Sequence, residues 1–159
     1  MDLLALAKTI ADRVEAEASR AKIPVAVCVI DVHGNLVLHH RMNGAPAFAI
    51  ELAERKAYTS ALVGMRTADI LPLVQPGQAL FPLMSQGKYC AMGGGAPLSS
   101  EGERLAGVGV SGGSVEQTSP SWRRGSEKPD LWPPLRRFCK EEFEPTASAP
   151  KRNRVDIQQ

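Results

Sequence analysis

The chain is poor in aromatic residues and in cysteine. Only 5% of its 159 residues are Phe, Trp or Tyr, and both tryptophans fall after residue 117. Cys28, Cys90 and Cys139 are odd in number and form no CxxC pair, which excludes a disulfide framework and a cysteine-rich zinc site. No apolar run approaches the ~20 residues that cross a bilayer. Met1-Asp2-Leu3-Leu4 lacks the basic and apolar regions of a secretory leader, so no membrane partner and a cytoplasmic location are expected. A net charge of +2 is too small to imply nucleic acid. No Ser-His-Asp order, HExxH, P-loop or paired-carboxylate spacing stands out, which leaves open whether the protein is an enzyme.

The remaining composition is that of one folded domain, with 43% hydrophobic residues. Residues 2–20 place Leu3, Leu4, Ala7, Ile10, Ala11, Val14 and Ala18 at helical spacing, with Asp2 as N-cap and Pro24 as the stop. Val25–Asp31 is a β-branched, nearly continuous apolar run, expected as a central strand. Turn chemistry at Asp31–Asn35 returns the chain as a second strand, Leu36–Met42. A second helix is expected over 47–65, where Ala53, Ala57, Ser60, Ala61 and Gly64 would let another element pack closely. Thr67 is positioned to cap a short helix over 68–74. Three more strands are expected: Lys88–Met92, Pro97–Ser99 and Arg104–Val110. Hairpin-linked strands with flanking helices make an α+β fold with an antiparallel sheet. Neither glycine cluster fits a dinucleotide fingerprint.

The glycines are the most distinctive feature. Gly93-Gly94-Gly95 precedes one short strand, and Gly107-x-Gly109 lies within the last one. Gly107 and Gly109 mark close backbone approach or strong twist. Ser111-Gly112-Gly113-Ser114-x-Glu116-Gln117 ends that strand where a helix should begin, with Ser114 as its cap.

Taken in order, Asp31-x-x-Gly34, Arg41-Met42-x-x-Ala45, Lys56-Ala57, Gln75-Pro76-Gly77, Gly93-Gly94-Gly95-x-Pro97 and Gly107-x-Gly109-Val110-Ser111-Gly112-Gly113-x-x-Glu116-Gln117 resemble the haem-degrading-domain family. That family includes GlcG-like and HbpS-like proteins and the C-terminal domain of PduO-type adenosyltransferases, and Val74–Gln78 is most similar to the last of these. The resemblance covers residues 1–117. It implies a three-layer α/β/α domain with a five-stranded antiparallel sheet, usually as a homo-oligomer. It further implies a haem- or tetrapyrrole-binding carrier, sensor or accessory protein. Two other readings stand beside it: an enzyme acting on a small carboxylate- or carbonyl-bearing metabolite, and a structural subunit of a catabolic complex.

After Gln117 the pattern breaks. Residues 1–117 carry 10 basic and 11 acidic residues, whereas residues 118–159 carry 9 and 6, with half of the 12 prolines. With suitable codons, Thr118–Pro129 read one nucleotide earlier becomes Asp followed by an apolar, alanine-containing helix, as in the family. We therefore hypothesise that 118–159 is a frameshifted, poorly ordered tail; the alternative is a natural basic, proline-rich extension. AGY codons at Ser119 and Ser121 would sink the frameshift.

Haem needs an apolar slot, cations for its propionates and often an axial His, Met, Cys or Tyr. His39 and His40 are adjacent on a strand and face opposite sides; His40 is the candidate axial ligand, against the alternative of ordinary edge histidines. His33, in a turn, is expected to be solvated. Arg41 and Lys56 match family positions and are candidates for a small anion or a propionate, against surface or subunit ion pairs. Met42, Gly93, Gly94, Gly95, Gly112, Gly113 and Glu116 complete the candidate binding set. Lys56 and Glu116 are also the candidate catalytic groups. Tyr89, Cys90 and Met92 are expected to pack in the core or sheet.

Overall fold

The first helix begins where an acidic side chain closes it. In a computed structural model, which describes residues 2–100 and 102–112, Asp2 accepts hydrogen bonds from the amides of Leu4 and Ala5 at 3.0 and 3.2 Å. The helix, α1, spans Leu3–Ala21. Lys22 ends it in the left-handed conformation, and the Ile23 amide returns to Ala18 O at 3.0 Å. Two strands follow, β1 (Val25–Asp31) and β2 (Leu36–Arg41). Their turn is tied by Asp31, whose Oδ1 accepts from the amides of His33 and Asn35, both at 2.8 Å. Partial burial pushes the Asp31 carboxyl upward, but these amides and the Asn35 side chain outweigh it and hold the pKa below the ordinary value.

The second helix, α2, spans Ala47–Val63, and Gly64 ends it with φ +75°. A short helix, α3, runs Thr67–Ile70 and continues into two 3-10 turns, Leu71–Val74 and Phe81–Gln86. The chain then forms β3 (Gly95–Ser100) and β4 (Glu103–Gly112). The strands make one sheet of four in the order β2-β1-β4-β3, with every pairing antiparallel.

The sheet separates two differently built layers. On one face Val25, Val27, Val29, Leu38, Ala106, Val108 and Val110 meet Ala7, Ile10, Ala11 and Val14 of α1. On the other, Ala26, Cys28 and Ile30 meet Ala49, Ala53, Ala57 and Ala61 of α2. Here Gly107 and Gly109 let α2 approach the backbone of β4: a Cβ on Gly109 would lie 2.0 Å from Ala53 O, and one on Gly107 2.3 Å from Ala57 O. The close approach expected of these glycines is thus made by the helix whose small residues allow it.

Among the described residues one expected strand is absent, so the sheet has four strands rather than five. Lys88–Met92 runs outside the sheet. The Cys90 amide donates to Thr59 Oγ1 of α2 at 2.8 Å instead of to a strand. Tyr89 packs edge-on against Tyr58, with ring centroids 5.6 Å apart. Ala91 joins a small cluster with Ile70 and Val74. Thr67 also departs from expectation: it is the first residue of α3, and its hydroxyl serves Gly95. The tail 118–159 and the helix expected to start at Ser114 lie outside the described residues.

Candidate ligand site

Antiparallel pairing brings the ends of β2 and β4 and the starts of β1 and β3 to one end of the sheet. Most of the candidate residues lie there. The polar contribution of α2 comes from Lys56, Thr59 and Ser60, which helical spacing turns to one side. All three are buried. Thr59 Oγ1 donates to Arg55 O at 2.7 Å while accepting from Cys90 N, and Ser60 Oγ donates to Lys56 O at 2.8 Å. Thr67 Oγ1 accepts from Gly95 N at 2.9 Å. Thr59 and Thr67 thus fasten the 88–95 segment across α2.

Lys56 stands where this segment meets β4. Its Nζ donates to Val110 O at 3.2 Å, and the Val110 amide donates to Gly94 O at 2.8 Å. Gly94 has φ +113°, and a Cβ there would lie 2.6 Å from Val110 O and 3.1 Å from Lys56 Nζ. A Cβ on Gly95 would lie 2.6 Å from Ser60 Oγ. These two glycines allow the loop to close over the lysine. Lys56 is only 6% exposed, and among the described residues no carboxylate forms an ion pair with it. Desolvation lowers its pKa from the ordinary lysine value, with a smaller opposing influence from Cys90.

The other candidates divide between the two faces. His40 pairs with Val27 and so lies on the α1 side, where its Nδ1 is 2.9 Å from Glu15 Oε1. Met42 packs partly buried against the same layer. Arg41 and His39 pair with Ala26 and Cys28 and lie on the α2 side. Arg41 Nε donates to Ala45 O at 3.0 Å. His39 Nε2 is buried with no hydrogen-bond partner among the described residues. Cys28 is fully buried, and desolvation, with a lesser contribution from Glu54, pushes its thiol up to about 12, which makes it unreactive at neutral pH.

The structure therefore joins Lys56 to Gly94 and Gly95, with Gly93 adjoining them, and it places His40 and Met42 together elsewhere. Gly112 packs on Pro24 and Val25 rather than on these groups. Gly113 and Glu116 lie outside the described residues. His33 is exposed, as expected of a turn residue; Met92, expected to pack in the core or sheet, is instead exposed, because its segment runs outside the sheet. Sequence reasoning missed Glu15 as a partner of His40, since 25 positions separate them. It also missed the hydroxyls of Thr59 and Thr67, although the i, i+3 relation of Lys56 and Thr59 on a helix was a usable signal.

The model for haem degrading protein HbpS-like matches residues 3–120. The chain belongs to the HbpS-like haem-degrading family. A relative from Citrobacter freundii, an uncharacterized 15.0 kDa protein in the dhaT-dhaS intergenic region, is 40% identical over 116 residues, covering 72% of this chain and 82% of its own length. The corrinoid adenosyltransferase PduO of Salmonella typhimurium is 41% identical over 102 residues; the match covers 63% of this chain but only 30% of that enzyme. Among solved structures, a PduOC:haem complex is similar at a TM-score of 0.63 with 38% identity, covering 67% of this chain and 79% of the other. The α+β architecture is shared with that solved structure.

Proposed function

We propose that this protein binds haem and serves as a cytoplasmic carrier, sensor or accessory factor rather than as a structural subunit alone. The observation that carries this reading is the similarity, at 38% identity, to a domain whose solved structure is a haem complex. His40 suits an axial role. A metal-ligating histidine commonly gives its other ring nitrogen to a carboxylate, which fixes tautomer and ring orientation. Glu15 does this at Nδ1 and leaves Nε2 as the donor to iron. The half-exposed ring is accessible to a large planar ligand. Met42 adds apolar surface beside it.

Arg41 and Lys56 supply cations for propionates. Since they lie on the α2 side and His40 on the α1 side, a haem using both would be shared by two copies in a homo-oligomer. Titration with haemin, followed by absorbance, tests the reading. A saturable Soret shift is expected, lost in His40→Ala and retained in His39→Ala. A titration without a saturable shift overturns haem binding, and an unchanged shift in His40→Ala overturns the ligand assignment.

A further inference from the structure

The excursion between α3 and β3 is long, exposed and without charge. From Ile70 to Gly87, between Asp69 and Lys88, the chain carries no Asp, Glu, Lys or Arg. A chain that is 23% charged would place about four charges in a stretch of that length, and soluble surfaces are ordinarily about 25–35% charged. Over Leu71–Gly87 only Val74 is buried. Leu71, Leu73 and Phe81 stand exposed, and so does Met92 beyond Lys88. The segment is nonetheless shaped. Ile70 and Val74 pack on Ala91, with Leu80 and Met84 against them. Gly77 turns the chain at φ +85°, Gln78 N donates to Gln75 O at 2.9 Å, and Leu80 N reaches back to Leu73 O at 3.2 Å. Gln75 Nε2 donates to Leu71 O at 2.8 Å. Pro72, Pro76 and Pro82 restrict the backbone further. The Gln75-Pro76-Gly77 motif, which haem binding leaves unused, thus belongs to a preformed apolar surface.

We propose that Leu71–Gly87, with Met92, is the face through which this protein pairs with a second copy of itself. A two-fold pair sets the same patch against itself. A charged patch would then meet like charge, whereas this one meets none. Gln78 and Gln86 each offer both donors and acceptors, so they are complementary to their own kind. The cores of protein interfaces are depleted of charge in the same way. Other occupants fit less well. A lipid surface calls for Lys or Arg together with Trp, and nucleic acid for basic residues; Leu71–Gly87 has none of these. Its length approaches the ~20–30 residues a side of a stable interface.

The test is sedimentation velocity on the full chain, without haemin, from about 1 to 100 µM. Reversible self-association, to a dimer or a multiple of one, is expected in that range. Phe81→Asp and Leu71→Asp set a carboxylate against its own copy, and each should weaken association about tenfold or more. Phe48→Asp, on an exposed part of α2, should leave association unchanged. Circular dichroism checks that each variant is folded. If the two apolar replacements do not fold, Gln78→Glu serves instead. It is isosteric, lies on an exposed turn and should weaken association about threefold or more. A wild type still monomeric at about 100 µM overturns the proposal. So does association that folded Phe81→Asp, Leu71→Asp and Gln78→Glu all leave intact, or that Phe48→Asp alone abolishes. A monomer that floats with phosphatidylcholine vesicles assigns the face to lipid and equally overturns the pairing. The inference does not depend on haem, and the Soret titration reports on haem binding separately.

Discussion

The two faces of the sheet are closed by opposite means. Against α1, branched side chains from both layers interdigitate: Val14 and Ile10 meet Val27, Val29, Val108 and Val110. Against α2, the facing side chains are mostly small, and the helix backbone rests on Gly107 and Gly109. The first arrangement spreads its stabilisation over many dispersive and hydrophobic contacts. The second depends on steric vacancy at two positions. Its closeness also explains the polar site. A helix lying this near the strand brings Lys56 within reach of a main-chain carbonyl of β4, whereas α1, held off by branched side chains, meets the sheet through apolar groups.

The largest expected effect breaks the α2 side. In Gly109→Val the new Cβ meets the Ala53 carbonyl, which belongs to helix backbone and cannot swing aside. A loss of about 3 kcal/mol or more is expected in urea unfolding, and a loss below about 1 kcal/mol would show that α2 is free to move. On the α1 side, Val27→Ala removes two methyl groups from a fully buried position. It should cost about 2 kcal/mol by the same measurement, a smaller and more tolerant response.

Lys56→Met examines the polar inclusion within the α2 layer. Burial lowers the lysine pKa in the folded state, so between the folded pKa and the ordinary value of 10.5 the unfolded chain binds more protons. Stability from this group therefore rises with pH across that window. Lys56→Met should be about 1 kcal/mol more stable than the wild type at neutral pH, and this advantage should shrink as pH approaches 10.5. Thermal melts of both proteins across that range check it; an advantage that grows with pH would contradict the assignment. The smallest effect belongs to Glu15→Gln. The Glu15–His40 contact is partly exposed, so stability should change by about 0.5 kcal/mol or less. Haemin affinity should nevertheless fall about tenfold or more if Glu15 orients the axial ligand.

Much of the α2 layer was legible in the residues. Small side chains at Ala53, Ala57 and Ala61 and glycines at 107 and 109 speak for close approach because steric vacancy is a property of the residue type itself. The α1 layer was legible for a different reason, since apolar groups at helical spacing define a face. Lys88–Met92 was misread because its apolar content suits a strand, while its path depends on a hydroxyl 31 positions away, at Thr59. Thr67 was misread for a similar reason: a threonine beside a helix start suits a cap, but Gly95 claims its hydroxyl first.

The sequence by itself determined the two helices, the hairpin, the antiparallel architecture and the family, since each follows from spacing or residue type over short stretches or from motifs in order. Only the tertiary structure decided the edge of the sheet, the burial of Lys56 against Val110 O and the pairing of His40 with Glu15. The physical reason is the same throughout. Periodicity and steric size act locally, whereas the charge state and hydrogen bonding of a side chain depend on partners that folding brings from 25 or more positions away.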